Sequence, residues 1–307
     1  MRRKLIVGSR GSKLAMIQTE SVVAKIREAN PDLEFSINKI VTKGDRSRRT
    51  QLDRMPVIGV FVKEIEEALL DGRIDVAVHS LKDVPTDIPH ELCLRAVTER
   101  LDPRDVLVSR TDRLDDIPPG SKIGTGSLRR TVQLARYRPD LEACSIRGNI
   151  DTRLRKVFSG EVDGVILAAA AISRLECEDK ISEYLPMESF LPAVGQGALV
   201  LEARLDDEEV AGLISPINNL PTWQSITAER TFLSALGGGC RAPIAALGIV
   251  ANTTLKLKGM VADVSGKNIL YDSEEGSATL PEEIGARLAQ KMLIMGASEF
   301  IAEVRSR

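Results

Sequence analysis

The chain has 307 residues, with 42 lysines and arginines against 44 aspartates and glutamates, a formal net charge of −2, 43% hydrophobic residues and 3% aromatic ones. That length implies two or three domains, and the composition permits a substantial core while excluding a disordered or fibrous chain. Near-neutral charge and scarce aromatics exclude a general nucleic-acid binder, which needs a basic field and stacking platforms, so any affinity for anions must be local.

Elements alternate from the start. "KLIVGS" (4–9) reads as a strand, and Ser12 can cap a helix running to about Glu28 with Leu14, Ile17 and Ala24 on one face. "FSINKIV" (35–41) has strand character. "VFVKEIEEALL" (60–70) is helical, with Phe61, Ile65 and Leu69 on one face and Gly72 as its stop. "IDVAVHS" (74–80) is a further strand. This rhythm predicts a mostly parallel sheet with helices on its faces.

A second unit starts near "ERLDPRDVLVS" (99–109), with strand, glycine turn and helix repeated around "SKIGTGSLRRTVQLARY" and "ACSIRGNIDTRLRKVFSG". Ser127 and Asn149 are the expected N-caps, and "VDGVILAA" (162–169) reads as a fully buried strand. After "LPAVGQGALVLEARLDD" (191–207) the character changes. "TWQSITAERTFLSAL" (222–236) is helical with Ala228, Phe232 and Ala235 on one face; "LKLKGMVAD" and "NILYDS" are antiparallel strands; Pro281 opens a helix carrying Ile284, Leu288, Met292 and Met295. This last stretch is an α+β module entered near 213–221.

No apolar run approaches the roughly 20 residues of a membrane span. Leu5–Val7 is too short for a signal-peptide core of about 7–15 residues. A soluble cytosolic protein with no membrane partner is the expectation. Cys93, Cys144, Cys177 and Cys240 are scattered, no Cys-x-x-Cys occurs, and only His79 and His90 are present, so no metal site is expected and the first three thiols are read as buried and free.

Three features can carry chemistry. The strand ending at "HSLKDVP" delivers His79, Ser80, Lys82 and Asp83 to its carboxyl end, where ligands of open α/β sheets bind; Pro85 holds Val84 extended, leaving Asp83 as a loop carboxylate available for acid–base work or as partner to a cation. Arg10, Arg129, Arg130, Arg147 and Arg153 all fall near helix N-termini, where a cation opposes the helix dipole and a bound anion would explain it. With the hydroxyls of Ser12, Thr125 and Ser127 they make a candidate carboxylate or phosphate cradle. Cys240 follows Gly237, Gly238 and Gly239, which allow close approach and positive φ. A thiol there fits covalent carriage of a cofactor better than nucleophilic catalysis, because no histidine is paired with it in the pattern.

"HSLKDVP", "ERLDPRD", "GTGSLRR", "RGNIDTRL", "LPAVGQGA" and "GGGC", in this order and spacing across nearly the whole chain, resemble the porphobilinogen deaminase family. The resemblance implies an α/β fold: two domains like those of type II periplasmic binding proteins with a cleft between them, plus a smaller C-terminal α+β domain. The implied boundaries are 1–98 with 198–215, then 99–197, then 216–307. It implies a monomeric transferase that condenses four porphobilinogens head to tail into hydroxymethylbilane, releasing four ammonias, on a dipyrromethane attached by a thioether to Cys240. Asp83 matches the family's catalytic aspartate, which steadies the azafulvenium cation left when ammonia departs. Ser80, Lys82, Asp83, Thr125, Ser127, Arg129, Arg130, Arg147 and Gly148 match its cofactor-binding positions. Arg10, Ser12, Gln18, Arg147, Arg153, Arg174 and Gln196 match positions that hold substrate.

Three positions depart from the family pattern. "DRMPVIGVF" (53–61) places Met55, Pro56, Val57 and Ile58 where many members carry a glycine-rich lid with a lysine, leaving Arg54 as its cation. Gly126 and Gly237 stand where a hydroxyl and an acidic residue are common. A rival reading of the same α/β pattern and arginines is a solute-binding module that captures a small carboxylate without chemistry; a third domain and the Asp83–Cys240 pair distinguish the enzyme.

Overall fold

A computed structural model describes residues 4–42, 62–111, 113–237, 239 and 242–306. The chain divides into two compact units, Met1–Leu101 with Ala198–Trp223, and Asp102–Gly197 with Gln224–Arg307.

The first unit is built on strands β1 (Lys4–Arg10), β2 (Glu34–Ile40), β3 (Val76–Ser80) and β4 (Leu92–Val97), with a fifth, β10 (Leu199–Arg204), supplied after the chain returns from the second unit. The order is β2-β1-β3-β10-β4. β1 runs parallel to β2 and β3, whereas β10 is antiparallel to both its neighbours. Helices α1 (Lys13–Ala29) and α6 (Glu208–Ile214) cover one face through Val22, Val23, Ile26, Val210 and Ile214 against Leu5, Val7, Val76, Val78 and Leu201. Helix α2 (Lys63–Leu70) covers the other with Ile65, Ala68 and Leu69 against Ile74 and Ala77. The inner strands β1 and β3 are buried on both faces and read as nearly continuous apolar runs, whereas the edge strand β2 is largely exposed or half-buried.

Helix α1 begins at the expected cap, Ser12, whose hydroxyl accepts from Ala15 N. Its buried face is not the expected one. Ala24 is exposed, and Gln18 and Thr19 are buried beside Val22, Val23 and Ile26. Hydrogen bonds make polar residues tolerable there: Thr19 Oγ1 donates to Ser9 Oγ at 2.7 Å, and Gln18 pairs with Ser80.

The second unit repeats the same sheet design. Strands β5 (Asp105–Ser109), β6 (Lys122–Gly124), β7 (Glu142–Cys144), β8 (Gly164–Ala168) and β9 (Glu183–Tyr184) lie in the order β7-β6-β8-β5-β9. β6 is parallel to β7 and β8, and β5 is antiparallel to β8. In each sheet the antiparallel strand at the fourth place is the first one formed after the chain arrives from the other unit. Helices α3 (Leu128–Tyr137), α4 (Ile150–Phe158) and α5 (Ala169–Arg174) complete it. β8 is buried at every position, as its composition predicts.

The same unit holds an antiparallel sheet, β11 (Ile244–Ala251), β12 (Thr254–Ala262) and β13 (Ile269–Ser277), with helices α7 (Leu220–Leu236), α8 (Pro281–Ile294) and α9 (Ala297–Ser306). Ala228, Phe232, Leu233 and Leu236 pack with Leu255, Leu257, Ile284, Leu288 and Met292. Ala235 and Met295, expected on the apolar faces, are exposed. A further cluster joins Val132 and Leu191 to Ala245, Leu247 and Met260, so this sheet and α3 share a core. Among the described residues no helix is long and apolar enough to cross a membrane.

Candidate functional site

The first group of candidates sits where β1 and β3 end. After Ser80 the chain makes a single 3-10 turn, Leu81–Asp83, closed by Val84 N donating to Leu81 O at 3.0 Å. Val84 is extended, with φ −88° and ψ 122°, as Pro85 requires. Leu81 and Val84 are buried, and Leu81 N is tied to Ala198 O, so the turn is anchored from beneath while Lys82 is half-buried and Asp83 is exposed. Gln18 Nε2 donates to Ser80 Oγ at 2.9 Å, joining α1 to this edge. Arg10 at the end of β1 and Ser12 at the N-cap of α1 complete the group: β1 and β3 are parallel, so their carboxyl ends share one edge.

His79, expected at the site edge with Ser80, points instead to the opposite face of β3, because neighbouring strand residues alternate in direction. His79 Nε2 and Glu202 Oε2 are 3.0 Å apart, both buried, and Glu202 Oε1 has no hydrogen-bond partner among the described residues. Glu66 on α2 faces the same pair. Burial first, then the Glu202 charge, push its carboxyl up from 4.5 to about 6, against a smaller opposing pull from His79; Glu67 and Lys63 of its own helix contribute in opposite directions. A raised carboxyl pKa means the fold holds this proton more tightly than the unfolded chain does. The resulting stabilisation is complete below 4.5 and is lost as the pH rises through about 6. Glu66→Gln is therefore expected to match the parent near pH 4 and to exceed it by about 1 kcal/mol near pH 7, after discounting for solvent screening. Denaturant unfolding at the two pH values checks this; a difference that does not change with pH contradicts it.

The second group gathers around a buried carboxylate. Asp105, the first residue of β5, is fully buried. Its Oδ2 accepts from Arg129 Nη1 at 2.8 Å, and its Oδ1 accepts from Arg130 Nη2 at 2.7 Å and Gln196 Nε2 at 2.8 Å. The guanidiniums also reach carbonyls, Arg129 that of Leu191 and Arg130 that of Ile166. Both arginines are at least nine-tenths buried. Burial alone would raise the Asp105 carboxyl, but the two guanidiniums outweigh it and hold it well below the usual carboxylate range. Arg129 is pulled down, chiefly by burial.

Other predicted residues surround this group at different depths. Thr125 is buried, and its Oγ1 accepts from Ser127 N; Ser127 is the N-cap of α3 by position but makes no side-chain capping bond. Asn149 caps α4, accepting from Thr152 N at 2.9 Å. Arg147 and Gly148, in the turn before it, are exposed. Arg153 donates from Nε to Gly148 O, and burial followed by repulsion from Arg130 lowers its pKa, which places its charge within reach of the central pair. Arg174 donates to Gly197 O, and burial pulls it down to about 10.

Arginines at helix N-termini call for an anion. For Arg129 and Arg130 the fold itself supplies one, Asp105, a residue not among the sequence candidates. The available signal was an acidic residue at the head of the buried strand "DVLVS". Glu229 on α7 was also missed. It is fully buried and accepts from Gly195 N at 2.7 Å and Gly248 N at 2.8 Å, fixing the turn that carries Gln196.

Cys240 lies outside the described residues, as does the 53–61 loop. The glycines on the near side of Cys240 behave as expected: Gly237 and Gly239 have φ of 69° and 62°. Cys93, Cys144 and Cys177 are free, as expected, and only partly buried, where mostly buried thiols were expected. Partial burial still pushes the Cys93 and Cys144 thiols up, so neither is primed as a thiolate.

Comparison with known proteins places this arrangement. The model of a family described as "Porphobilinogen deaminase, dipyromethane cofactor binding domain" matches residues 5–212, and that of "Porphobilinogen deaminase, C-terminal domain" matches residues 223–294. The porphobilinogen deaminase of Brevibacillus brevis is 46% identical over 300 residues, covering 97% of this chain and 96% of the relative. That of Geobacter metallireducens is 46% identical over 305 residues, covering 99% and 96%. Among solved structures, the methionine-binding protein MetQ is 13% identical, with a TM-score of 0.45 over 73% of this chain and 91% of its own. On the strength of the two matched models and the near-full-length identity, the chain belongs to the porphobilinogen deaminase family.

Proposed function

We propose that this chain joins four porphobilinogen molecules head to tail, releasing ammonia at each addition, and frees the linear tetrapyrrole hydroxymethylbilane by hydrolysis. It is a transferase of tetrapyrrole biosynthesis, acting as a cytoplasmic monomer. The observation that carries the reading is the guanidinium cluster of the second unit. Two buried cations share one carboxylate there, and Arg129 Nε and Arg130 Nε have no partner among the described residues. Such a site is short of an anion, and every pyrrole ring of substrate and product brings two carboxylates. The same donor chemistry fits the dipyrromethane named in the matched family model.

By their match to the family's positions, Arg129, Arg130, Arg147, Thr125, Ser127, the Gly148 turn, Ser80 and Lys82 would hold that group, with Cys240 as its covalent anchor. When bound, it supplies the pyrrole to which the first substrate is joined. Arg10, Ser12, Gln18, Arg153, Arg174 and Gln196 hold substrate carboxylates and orient the aminomethyl group for attack. Asp83 stabilises the positive charge that develops on the pyrrole as ammonia leaves and holds the proton of the pyrrole N–H. Its place in an anchored turn gives that carboxylate a fixed position with access to solvent, and no partner holds it away from a substrate in the bonds described above. The division into 1–98 with 198–215, 99–197 and 216–307 is supported by a separate sheet in each stretch.

Family membership favours catalysis over the solute-binding module. Incubation with porphobilinogen separates the two directly: about one ammonia should appear per porphobilinogen consumed, with a linear tetrapyrrole as product. Porphobilinogen bound but recovered unchanged would support the binder instead.

A further inference from the structure

The motif "ERLDPRD" ends at Asp105, which has no part in the roles assigned above. Its carboxylate takes three side-chain donors from two places: Arg129 and Arg130 on the first turn of α3, and Gln196 on the turn held by Glu229. Adjacent residues on a helix diverge by about 100° around its axis, so Arg129 and Arg130 have no intrinsic reason to converge. They converge because each puts one terminal nitrogen on a different oxygen of the same buried carboxylate. Without that carboxylate two like charges would lie side by side in a medium of low dielectric, with Arg153 adding a third nearby.

We propose that Asp105 is a positioning residue for the family reaction: it aims the guanidiniums of Arg129 and Arg130 at a substrate carboxylate and leaves the pair one positive charge in excess, which that carboxylate neutralises. This rests on the reading of Arg129 and Arg130 as carboxylate-binding groups. A carboxylate that merely filled space in the core would need no second cation, and one cation would satisfy its charge. Here two guanidiniums are buried against one acid, and each retains an Nε–H with no protein acceptor among the described residues. The excess is therefore built into the cluster.

Asp105→Asn, Arg130→Gln and the double variant test the proposal by intact mass, by separate KM and kcat for porphobilinogen, and by thermal midpoint. Each single variant is expected to lose about a hundredfold in kcat/KM and to carry the covalent dipyrromethane on a smaller fraction of chains. The double variant is expected to lose no more than the worse single one, because Asp105 acts through Arg130. Multiplying losses would overturn the proposal. If Arg130→Gln is impaired while Asp105→Asn behaves as the parent, the positioning role fails alone; if Arg130→Gln itself behaves as the parent, the carboxylate-binding reading fails with it. Should Asp105→Asn not fold, Asp105→Glu decides. It keeps the charge but shifts the carboxylate by a methylene, and a KM raised about tenfold with near-parental kcat supports positioning. Parental KM in Asp105→Glu overturns it.

Discussion

Asp83→Asn is expected to lose at least about a hundredfold in turnover, equivalent to about 2.7 kcal/mol of transition-state stabilisation, while the protein keeps its fold. The fold should survive because the turn does not depend on this side chain. Leu81 and Val84 are buried on either side of it, Val84 N closes the turn on Leu81 O, and Leu81 N is held by Ala198 O. Asp83 itself is exposed. The amide has nearly the same shape and can still accept a hydrogen bond, so what is removed is the negative charge. If the carboxylate steadies a cation formed when ammonia leaves, that charge is the whole effect. The thermal midpoint should stay close to the parent's, and the covalent group should still be present by mass. Turnover above a tenth of the parental rate would contradict the catalytic role. Loss of fold together with activity would contradict the picture of an independently anchored turn.

Cys240→Ser is expected to carry no dipyrromethane at all, and therefore to show no sustained turnover. Serine has the shape of cysteine but is a far weaker nucleophile, so thioether formation has no equivalent at this position. The flanking backbone supports a role in presentation. α7 ends at Leu236, Gly237 and Gly239 take φ of 69° and 62°, and Ala242, just before β11, is buried. Side chains at Gly237 and Gly239 would be strained at these positive φ values, which is a reason for glycine at both positions. Mass equal to the bare substituted chain supports the anchor. A dipyrromethane-bearing Cys240→Ser chain would move the attachment to another residue, and Cys93, Cys144 and Cys177 would then be the groups to replace in turn.

Much of the fold was legible because hydrophobic period and turn residues agreed with it. The β1–α1–β2 and β3 segments, the buried β8, and the α8 helix opened by Pro281 all follow from local pattern. Errors arose where burial and polarity parted company. The inward face of α1 carries Gln18 and Thr19, and pattern reasoning places such residues outside; only the bonds to Ser80 and Ser9 show why they are inside. β10 could not be assigned to the first sheet by periodicity, since its partners β3 and β4 lie about a hundred residues earlier in the chain. The arginines were visible as a group, yet their convergence was not. It depends on Asp105 of one strand, Gln196 of a distant turn and the Glu229 clamp behind it, none of which is adjacent in sequence. The His79–Glu202 pair was hidden for the same reason, its two members lying 123 residues apart in the chain.

The central claim is that this chain works as a carrier: a cysteine anchors the growing polyanion, buried arginines grip it, and an aspartate handles the charge of each addition. Intact mass of the purified protein, produced with porphobilinogen available, tests that claim most directly. The predicted result is a chain heavier than its 307-residue sequence by one dipyrromethane, with the extra mass on the peptide containing Cys240. A mass equal to the bare chain would contradict it.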